Sequence, residues 1–352
     1  MSRIFITHIV PRDKILKYHL SVAACNFSHN LIESKAFDKV YSILPTFVSG
    51  DVAEFEGLVY SSWRNNRILR RFAWLPENLR LLFRIPRKAS VWYYNCTILN
   101  ALLIVLLSIF KPQVRQQMII LDYTPSQNLM SRICLWLTNR MDGTIKLADS
   151  PLFTVKNSVC LPGIVPLEKT DYPYVGDINK EFLISGALND NISMLPMLLE
   201  AFSRMPDMTL HITGKAPDEE LVKKYTSCNS NIHYHGMVEY DKFLDILHSA
   251  PFLLSTRNPE MPENQCNFPS KIIEALLHNR IIVSTIDYPQ LEGISYFKVG
   301  SNLDSFIHDL KGIFDLNVVD LKRYANQGDR VAKTFGSDVW LKQISEIESA
   351  NR

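Results

Sequence analysis

The segment NQCNFPSKIIEALLHNRIIVST, residues 264–285, combines residue types that hold an anionic ligand at a helix end. Asn267 and Ser270 are both good N-cap residues, and Pro269 is tolerated only within the first turn of a helix. The predicted helix therefore begins between Asn267 and Ser270, where its first backbone N–H groups have no partner inside the helix. Such an end carries partial positive charge and binds phosphate, and Lys271 adds a full charge beside it.

An acidic residue one turn further along completes the pattern. Ser270 and Glu274 are four residues apart, so they lie on one helix face, about 6 Å apart along the axis. This separation suits a diphosphate on the helix end and sugar hydroxyls on the carboxylate. An ordinary capped helix with a surface glutamate fits the same spacing, so the residues alone leave both interpretations open.

These residues need elements that position them, and the rest of the chain predicts such elements. Short runs rich in Ile, Val and Phe alternate with helical patterns over most of the length. This alternation predicts βαβ units with parallel sheets buried on both faces. We predict strands at residues 4–9, 39–43, 90–94, 117–121, 143–147, 158–161, 181–185, 208–213, 232–235, 252–255, 280–285 and 296–299.

The chain length of 352 residues fits two domains. The segment 161–180 is rich in proline and glycine, which interrupt helices and central strands, and it marks the boundary. We therefore predict two doubly wound α/β domains, residues 1–165 and residues 166–330. Because ligands of such sheets bind at the carboxyl ends of the strands, we expect the site in a cleft between the domains.

Composition excludes several other classes of protein. A formal net charge of +2 argues against a general nucleic-acid binder. Six cysteines without a CxxC pair indicate reduced, cytoplasmic usage, with no disulfide framework or zinc site. His233 and His235 share one face of a strand, but no third ligand is evident, so we expect no metal there.

Two apolar segments bear on membrane insertion. The N-terminal sequence MSRIFITHIVPRD predicts a first buried strand rather than a signal peptide. The run ILNALLIVLLSIF, residues 98–110, is shorter than the ~20 residues needed to span a bilayer. We expect it to form a helix packed on both sides, and we predict no transmembrane segment.

Residues 63–88 depart from the neutral average of the chain. A basic stretch with interleaved aromatic residues suits the surface of an anionic membrane, which would make the protein peripheral on the inner face of the cell membrane. A solvated helix whose apolar side belongs to the core would produce much of the same pattern. The segment contains one acid, Glu77, against eight basic residues: Arg64, Arg67, Arg70, Arg71, Arg80, Arg84, Arg87 and Lys88.

The order of several motifs resembles the GT-B glycosyltransferases, specifically the retaining group called family 4, or glycosyltransferase group 1. The resemblance runs within residues 181–300 through EFLISGAL, LHITGKAP, NIHYHGMVEYDKFLDILHSAPFLLSTRNPE and NFPSKIIEALLHNRIIVST. The N-terminal half matches through the strand-loop at 1–13, MDGTIKLADS and VCLPGIVPLE. TFGSDVWLKQISEI, residues 334–347, resembles the family's final helix. The resemblance implies the GT-B fold, two Rossmann-like domains facing a cleft, with residues 331–352 packing back on the first domain.

The resemblance also implies a ligand and an activity. Backbone amides of Ser270 and Lys271 would hold a nucleotide diphosphate, Glu274 the ribose hydroxyls, and the loop at Met237 and Val238 the nucleobase. The donor would be a nucleotide sugar, most often UDP-linked, and the acceptor a glycan, possibly lipid-linked, in surface polysaccharide assembly. Retaining transfer without a dedicated metal or cofactor is implied. The rest of the predicted donor site is Gly186, Lys215, Arg257 and Asn267.

The sequence departs from the family at the contact with the transferred sugar. Cys266 stands eight residues before Glu274, where the family has its first motif glutamate. Glu260 or Glu263, in the preceding loop, would have to take over that contact, and the sequence does not choose between them.

A second departure concerns the charges that neutralise the diphosphate. Ala187 and Asn191 stand near the places of an arginine and a lysine in the family. A diphosphate carries roughly two to three negative charges, which other cations must offset. Lys215, Arg257 and Lys271 are the available ones, and we count Lys215 and Lys271 with the two glutamates as candidate catalytic residues.

Residues near the ends of N-terminal strands are candidates for the acceptor side. They follow the first strand and the strand at 90–94. Two alternatives to glycosyl transfer remain, a nucleotide-sugar epimerase on the same frame and a catalytically inactive scaffold, while a dehydrogenase is disfavoured because no GxGxxG follows a strand. The acceptor-side candidates are His8, Arg12, Asp13, Tyr94 and Asn95.

Overall fold

A computed structural model describes residues 1–15, 17–18, 20–45, 48, 66–125, 128–165, 175–176 and 178–350. These residues form two compact units. Unit 1 comprises residues 1–168, 266–268 and 335–352, and unit 2 comprises residues 169–265 and 269–334. Each unit contains one six-stranded sheet in which every neighbouring pair of strands is parallel.

The sheet of unit 1 has the strand order β2-β1-β3-β4-β5-β6. Its strands are β1 (Ser2–Thr7), β2 (Lys39–Ser42), β3 (Ala89–Tyr94), β4 (Arg115–Ile120), β5 (Gly143–Lys146) and β6 (Ser158–Cys160). Its helices are α1 (Val22–Glu33), α2 (Trp74–Arg84), α3 (Ile98–Phe110), α4 (Leu129–Thr138) and, after unit 2, α14 (Ser337–Ala350); 3₁₀ turns lie at Arg12–Lys14 and Leu69–Phe72.

The direction of each crossover decides which face of this sheet a helix covers. The connections through α2, α3 and α4 run one way along the strand order, and the connection through α1 runs the other way. Because such crossovers are right-handed, α2 to α4 cover one face and α1 the opposite face. On the α1 side, Phe27 meets Trp340 of α14 edge-on, with ring centroids 5.3 Å apart.

The sheet of unit 2 has the strand order β12-β11-β10-β7-β8-β9. Its strands are β7 (Glu181–Ser185), β8 (Thr209–Thr213), β9 (Ile232–Gly236), β10 (Phe252–Ser255), β11 (Ile281–Ser284) and β12 (Phe297–Lys298). Its helices are α5 (Asp190–Ser193), α6 (Leu195–Ser203), α7 (Glu219–Cys228), α8 (Tyr240–Ser249), α9 (Pro262–Cys266), α10 (Ser270–Leu277), α11 (Leu303–Gly312), α12 (Val318–Tyr324) and α13 (Gly328–Phe335), with a 3₁₀ turn at Ile313–Asp315.

In each sheet, the direction in which successive strands are added reverses at one internal pair of strands. In unit 1 the chain turns between β1 and β3, and in unit 2 between β7 and β10. Ligands of doubly wound sheets bind outside the carboxyl ends of the strands at such a switch point. The ends of β7 and β10 therefore mark the part of unit 2 where a ligand is expected.

The predicted α/β fold class is confirmed, and all twelve predicted strands occur within two residues of their predicted bounds. The prediction that residues 98–110 form a helix is also confirmed, but the prediction that both sides are packed is wrong. Leu103 and Leu107 are buried, whereas Ile109 and Phe110 are more than half exposed. Among the described residues, no helix is both long and apolar enough to cross a membrane.

Candidate functional site

Two glycines form a tight backbone shelf at the carboxyl end of β7. Gly186 follows the strand with φ 115°, Gly214 follows β8 with φ 126°, and both values lie in the region that favours glycine. A Cβ on Gly214 would lie 2.3 Å from the Gly186 carbonyl oxygen, so no larger residue fits there. Gly186 N donates to the Thr213 carbonyl (3.0 Å), which fixes the turn. Neither glycine adds a side chain of its own to this turn.

Helix α10 begins beside this shelf without a side-chain cap. Its N-cap residue is Pro269, and no side chain accepts a hydrogen bond from the first turn. The expectation that Asn267 or Ser270 caps the helix is therefore wrong. The carboxamide oxygen of Asn267 instead accepts a hydrogen bond from Tyr123 N (2.6 Å), and both residues belong to unit 1. Because no side chain satisfies them, the first amides of α10 remain donors for a ligand.

The side chain of Lys271, the second residue of α10, extends from the N-terminal end of the helix to the glycine shelf. Its ammonium donates to Ser185 Oγ, at the last position of β7, and lies 5.2 Å from the ring centroid of Phe243. A Cβ on Gly186 would be only 3.4 Å from Lys271 Cε, so the lysine stem runs along the shelf. Burial lowers the pKa of Lys271, and the charge of Glu274 opposes that shift.

Glu274 is half-buried rather than directed into solvent. The hydroxyl of Tyr240, at the start of α8, donates to Glu274 Oε1 (2.9 Å). Burial raises the pKa of Glu274, while the hydrogen bond from Tyr240 and the charge of Lys271 act in the opposite direction. Tyr240 was not among the predicted residues. The sequence signal that could have identified it is its place just after the loop expected to receive the nucleobase.

The loop between β9 and α8 presents side chains of mixed exposure. Met237 is 71% exposed and Val238 is half-buried, and both precede Tyr240 by a few residues. Gly214 N donates to the Gly236 carbonyl (2.8 Å), which ties this loop to the glycine shelf. Lys215, after the shelf, is exposed to solvent.

The loop after β10 is held by a buried asparagine that the sequence did not indicate. Asn264, 2% exposed, donates to the carbonyls of Asn191 (2.7 Å) and Asn258 (2.9 Å). Arg257 N donates to Thr285 Oγ1 (2.6 Å), and the Arg257 guanidinium lies 3.4 Å from Asn264 Oδ1. Asn264 therefore joins the β10 loop to the segment after β7, where the family pattern has its lysine.

The three residues considered for the sugar contact differ in their surroundings. Glu260 is exposed, and its backbone N–H donates to Asn258 Oδ1 (3.0 Å). Glu263 is half-buried in the first turn of the short helix α9. Cys266 is buried with the core of unit 1, and its Sγ lies 3.6 Å from Ser150 Oγ. Cys266 is thus a core residue, and the two glutamates are the ones open to a ligand.

The acceptor-side candidates in unit 1 divide by their contacts. His8 Nδ1 lies 2.9 Å from the Ile43 carbonyl, and its Nε2 lies 3.2 Å from Thr97 Oγ1. Burial lowers the pKa of His8 to about 4. Tyr94 is buried, and burial raises the pKa of its phenol. These two side chains lie at the switch point between β1 and β3, within unit 1.

The other acceptor-side candidates make structural contacts or fall outside the described part of the chain. Asn95 Oδ1 accepts from Leu121 N (2.9 Å) and its backbone has φ 47°. Arg12 is exposed and forms an ion pair with Glu33 (2.8 Å). The side chain of Asp13 lies outside the described part, as do Trp63 and Arg64 of the basic stretch.

His211, which was not predicted from the sequence, forms a cluster with His233 and His235 in the sheet of unit 2. His211 Nδ1 lies 3.1 Å from His235 Nε2, and its ring stacks on that of His233 with centroids 5.2 Å apart. His211 Nε2 lies 3.4 Å from Glu181 Oε2. Within the described ranges, no group of three or more His, Cys, Asp or Glu side chains has an arrangement that could hold a metal ion.

Comparisons with known proteins agree with this fold. Residues 179–307 match the family model described as Glycosyl transferases group 1. HepE from Anabaena, crystallised in complex with UDP, covers 99% of this chain and 100% of its own, with a TM-score of 0.66 at 11% identity. OtsA, a trehalose-6-phosphate synthase, covers 99% of each chain with a TM-score of 0.70 at 9% identity.

A third structure, AviGT4, is a glycosyltransferase involved in avilamycin A biosynthesis. It covers 99% of this chain and 98% of its own, with a TM-score of 0.56 at 14% identity. No curated protein matches the chain in sequence. At these identities the structural likeness shows the fold alone, and the family match covers much of unit 2. The predicted GT-B architecture and the resemblance to the group 1 glycosyltransferases are confirmed.

Proposed function

We propose that this chain is a glycosyltransferase that takes a sugar from a UDP-linked donor bound by unit 2. The observation that carries the proposal is the N-terminus of α10, which has no side-chain cap. Lys271 lies in the first turn of this helix, and Glu274 lies one turn further along. The Lys271 side chain lies beside the glycine shelf after β7, at the switch point of the sheet. The group 1 family match and the UDP complex of HepE support this choice of ligand.

Each group at this site has a place in the proposed reaction. The amides of Ser270 and Lys271, with the Lys271 ammonium, would hold the diphosphate and stabilise its charge as it leaves the sugar. Glu274 would accept hydrogen bonds from the ribose hydroxyls, and the loop at Met237 and Val238 would receive the base. Preorganised donors of this kind need no reorganisation when the charge develops.

The finer features of the proposal concern stereochemistry and acceptor. We propose retention at the anomeric carbon without a metal, with Glu260 or Glu263 contacting the transferred sugar. The acceptor would be a glycan, possibly lipid-linked, as in polysaccharide assembly. NMR of the product would give its anomeric configuration, and turnover unaffected by EDTA would support metal independence.

A titration with UDP tests the donor site directly. Lys271→Ala is expected to lower the affinity for UDP at least tenfold, which corresponds to ~1.4 kcal/mol. Lys224→Ala is the matched control, because Lys224 is an exposed lysine on α7 of the same unit. Calorimetric titration measures both dissociation constants, and an unchanged value for Lys271→Ala would remove this lysine from the site.

A thermal-shift panel of nucleotide sugars separates the proposal from its alternatives. Stabilisation by UDP-sugars above other nucleotide sugars is expected, since a ligand that binds only the folded state raises its stability. Conversion of a UDP-sugar into its epimer without an acceptor would indicate the epimerase instead. A folded protein that binds no nucleotide sugar would indicate an inactive scaffold.

A further inference from the structure

The helix layer of unit 1 exposes an apolar surface on its outer side. We call this surface the α2–α4 face. Phe83 on α2 is 82% exposed, Ile109 on α3 is 63% exposed, and Trp136 on α4 is 52% exposed. Phe72, Leu79 and Phe110 are also about half exposed. Because α2, α3 and α4 cover the same face of the sheet, these side chains belong to one layer and not to separate parts of the unit.

The inner side of α2 is already fully engaged, so its outer apolar stripe has no role in the core. Asn78 is buried, and its Nδ2 donates to the Leu99 carbonyl (2.7 Å) of α3. The backbone N–H of Leu103 donates to Asn78 Oδ1 (2.9 Å). These bonds fix the rotation of α2 about its axis and direct Leu81 inward. The outer residues at positions 72, 75, 79 and 83 follow a second helical spacing, and within the described part of the chain they remain 37–82% exposed.

The exposed charge on the same surface is positive. Between residues 66 and 110 the single acid is Glu77, which is 1% exposed and so offers little charge to solvent. The Arg140 guanidinium lies 3.9 Å from the ring centroid of exposed Trp136, at the other end of the layer. Exposed cations flank the apolar stripe of α2: Arg67, Arg71, Arg80, Arg84, Arg87 and Lys88.

We propose that the α2–α4 face docks onto an anionic phospholipid bilayer. Large aromatic and aliphatic side chains would enter the interface, while arginine stems reach along it to the lipid phosphates. The uniform positive charge favours an anionic bilayer over a second copy of this chain, whose equivalent face would carry the same charge. Docking does not depend on glycosyl transfer.

Vesicle flotation of the full chain tests the proposal without nucleotide or acceptor. Vesicles of phosphatidylcholine with phosphatidylglycerol are expected to retain the protein at low salt, and vesicles of phosphatidylcholine alone to retain much less. Arg84→Glu/Arg87→Glu is expected to lower the partition coefficient about tenfold or more, because each basic residue near the surface contributes to the attraction. Phe83→Ser/Ile109→Ser is expected to lower it similarly through lost apolar insertion.

Matched variants in unit 2 control for charge and for lost apolar surface. Lys224→Glu/Lys322→Glu makes the same charge change, and Val318→Ser/Val319→Ser removes two exposed apolar side chains, 58% and 68% exposed, from another surface. Both controls should retain wild-type partitioning, and circular dichroism checks that every variant is folded. Failure of the folded wild type to float with anionic vesicles would overturn the proposal. Equal losses in the control variants, or a dimer that Phe83→Ser/Ile109→Ser dissociates without any vesicle binding, would also overturn it.

Discussion

Glu274 and Tyr240 form the contact in the candidate donor site that a single substitution can test most cleanly. The tyrosine hydroxyl donates to one oxygen of a half-buried carboxylate whose pKa burial raises. This hydrogen bond favours the charged form of Glu274 and holds it in one orientation. The proposed ribose contact needs both properties, because the carboxylate must be an acceptor in a fixed place.

Tyr240→Phe removes the hydroxyl and keeps the aromatic ring in place. It is expected to weaken UDP binding roughly three- to tenfold. A hydrogen bond to a charged group contributes about 1.5–3 kcal/mol, and water replaces part of that contribution when the hydroxyl is lost. Tyr225→Phe is a matched control, because the Tyr225 hydroxyl donates to Glu200 Oε2 (2.8 Å) on the outer helices of the same unit. Calorimetric titration with UDP compares the two variants. Equal affinities of Tyr240→Phe and the wild type would show that Glu274 does not depend on this tyrosine.

The residues of this site differ in how far the sequence could predict them. Ser270, Lys271 and Glu274 are close in sequence, and helix geometry alone places them on one end of α10. Tyr240 and Asn264 contact partners that are far away in sequence, so local spacing does not indicate these contacts. Only the place of Tyr240, just after the loop expected to receive the nucleobase, is a sequence signal. The assignment of Asn267 as a cap was wrong, because its side chain bonds to Tyr123, a contact far away in sequence.

At the scale of elements, His8 joins three segments of unit 1 at the end of β1. The Ile43 carbonyl only accepts, so Nδ1 must carry the proton. Asn100 Nδ2 lies 3.3 Å from Nε2 and only donates, so Nε2 must be unprotonated. The orientation of the Asn100 carboxamide is fixed because its Oδ1 accepts from Thr97 N (2.9 Å) in the capping box of α3. The contacts therefore require a neutral imidazole, in agreement with a pKa lowered to about 4 by burial.

This neutral histidine predicts acid sensitivity of unit 1. Between pH 6.5, the ordinary pKa of histidine, and about 4, the unfolded chain binds a proton at His8 that the folded chain does not. The contribution of neutral His8 to the free energy of unfolding is therefore fully present above pH 6.5 and is lost as the pH falls through this window. His8→Gln keeps one donor and one acceptor without titrating, so its unfolding free energy should fall less steeply over the window.

Urea unfolding of the wild type and His8→Gln at a series of pH values from 7 to 4 measures the two slopes. His308→Gln is the control, because His308 is an exposed histidine on α11 of unit 2. The slope should change only in His8→Gln. Superimposable pH profiles for the wild type and His8→Gln would mean that His8 is charged in the folded chain.

The sequence predicted the positions of the strands and helices better than it predicted which of their side chains are exposed. Strands buried on both faces are continuous runs of Ile, Val and Phe, and such runs have few other interpretations. Helix α3 is apolar on every side, so its sequence does not show which side faces the sheet. The same holds for the outer stripe of α2, where apolar residues follow helical spacing whether a core or another partner buries them.

At the scale of the whole molecule, the chain leaves unit 1, builds unit 2 and ends in unit 1 again. The last helix, α14, is fixed there by Glu348. The Glu348 carboxylate accepts hydrogen bonds from Arg3 Nε (2.8 Å), Ser90 Oγ (2.5 Å) and Trp92 Nε1 (3.1 Å), which belong to β1 and β3. A residue near the C-terminus thereby joins the first strands of the chain. The packing of the last helix on the first domain was expected from the family resemblance alone, because no local pattern in the sequence predicts it.

Glu348→Ala is expected to destabilise unit 1 by about 2 kcal/mol, because it leaves partly buried donors on β1 and β3 without their acceptor. Glu346→Ala is the matched control on the same helix, since Glu346 is exposed and contacts only exposed or half-exposed partners on that helix, among them Lys342 at 3.8 Å and Gln343 at 2.9 Å. Differential scanning calorimetry should show a lower transition temperature for Glu348→Ala only. The affinity for UDP should stay at the wild-type value in both variants, because the proposed diphosphate and ribose contacts all belong to unit 2. A loss of UDP binding in Glu348→Ala at temperatures where it remains folded would show that the donor site depends on α14, contrary to its assignment to unit 2.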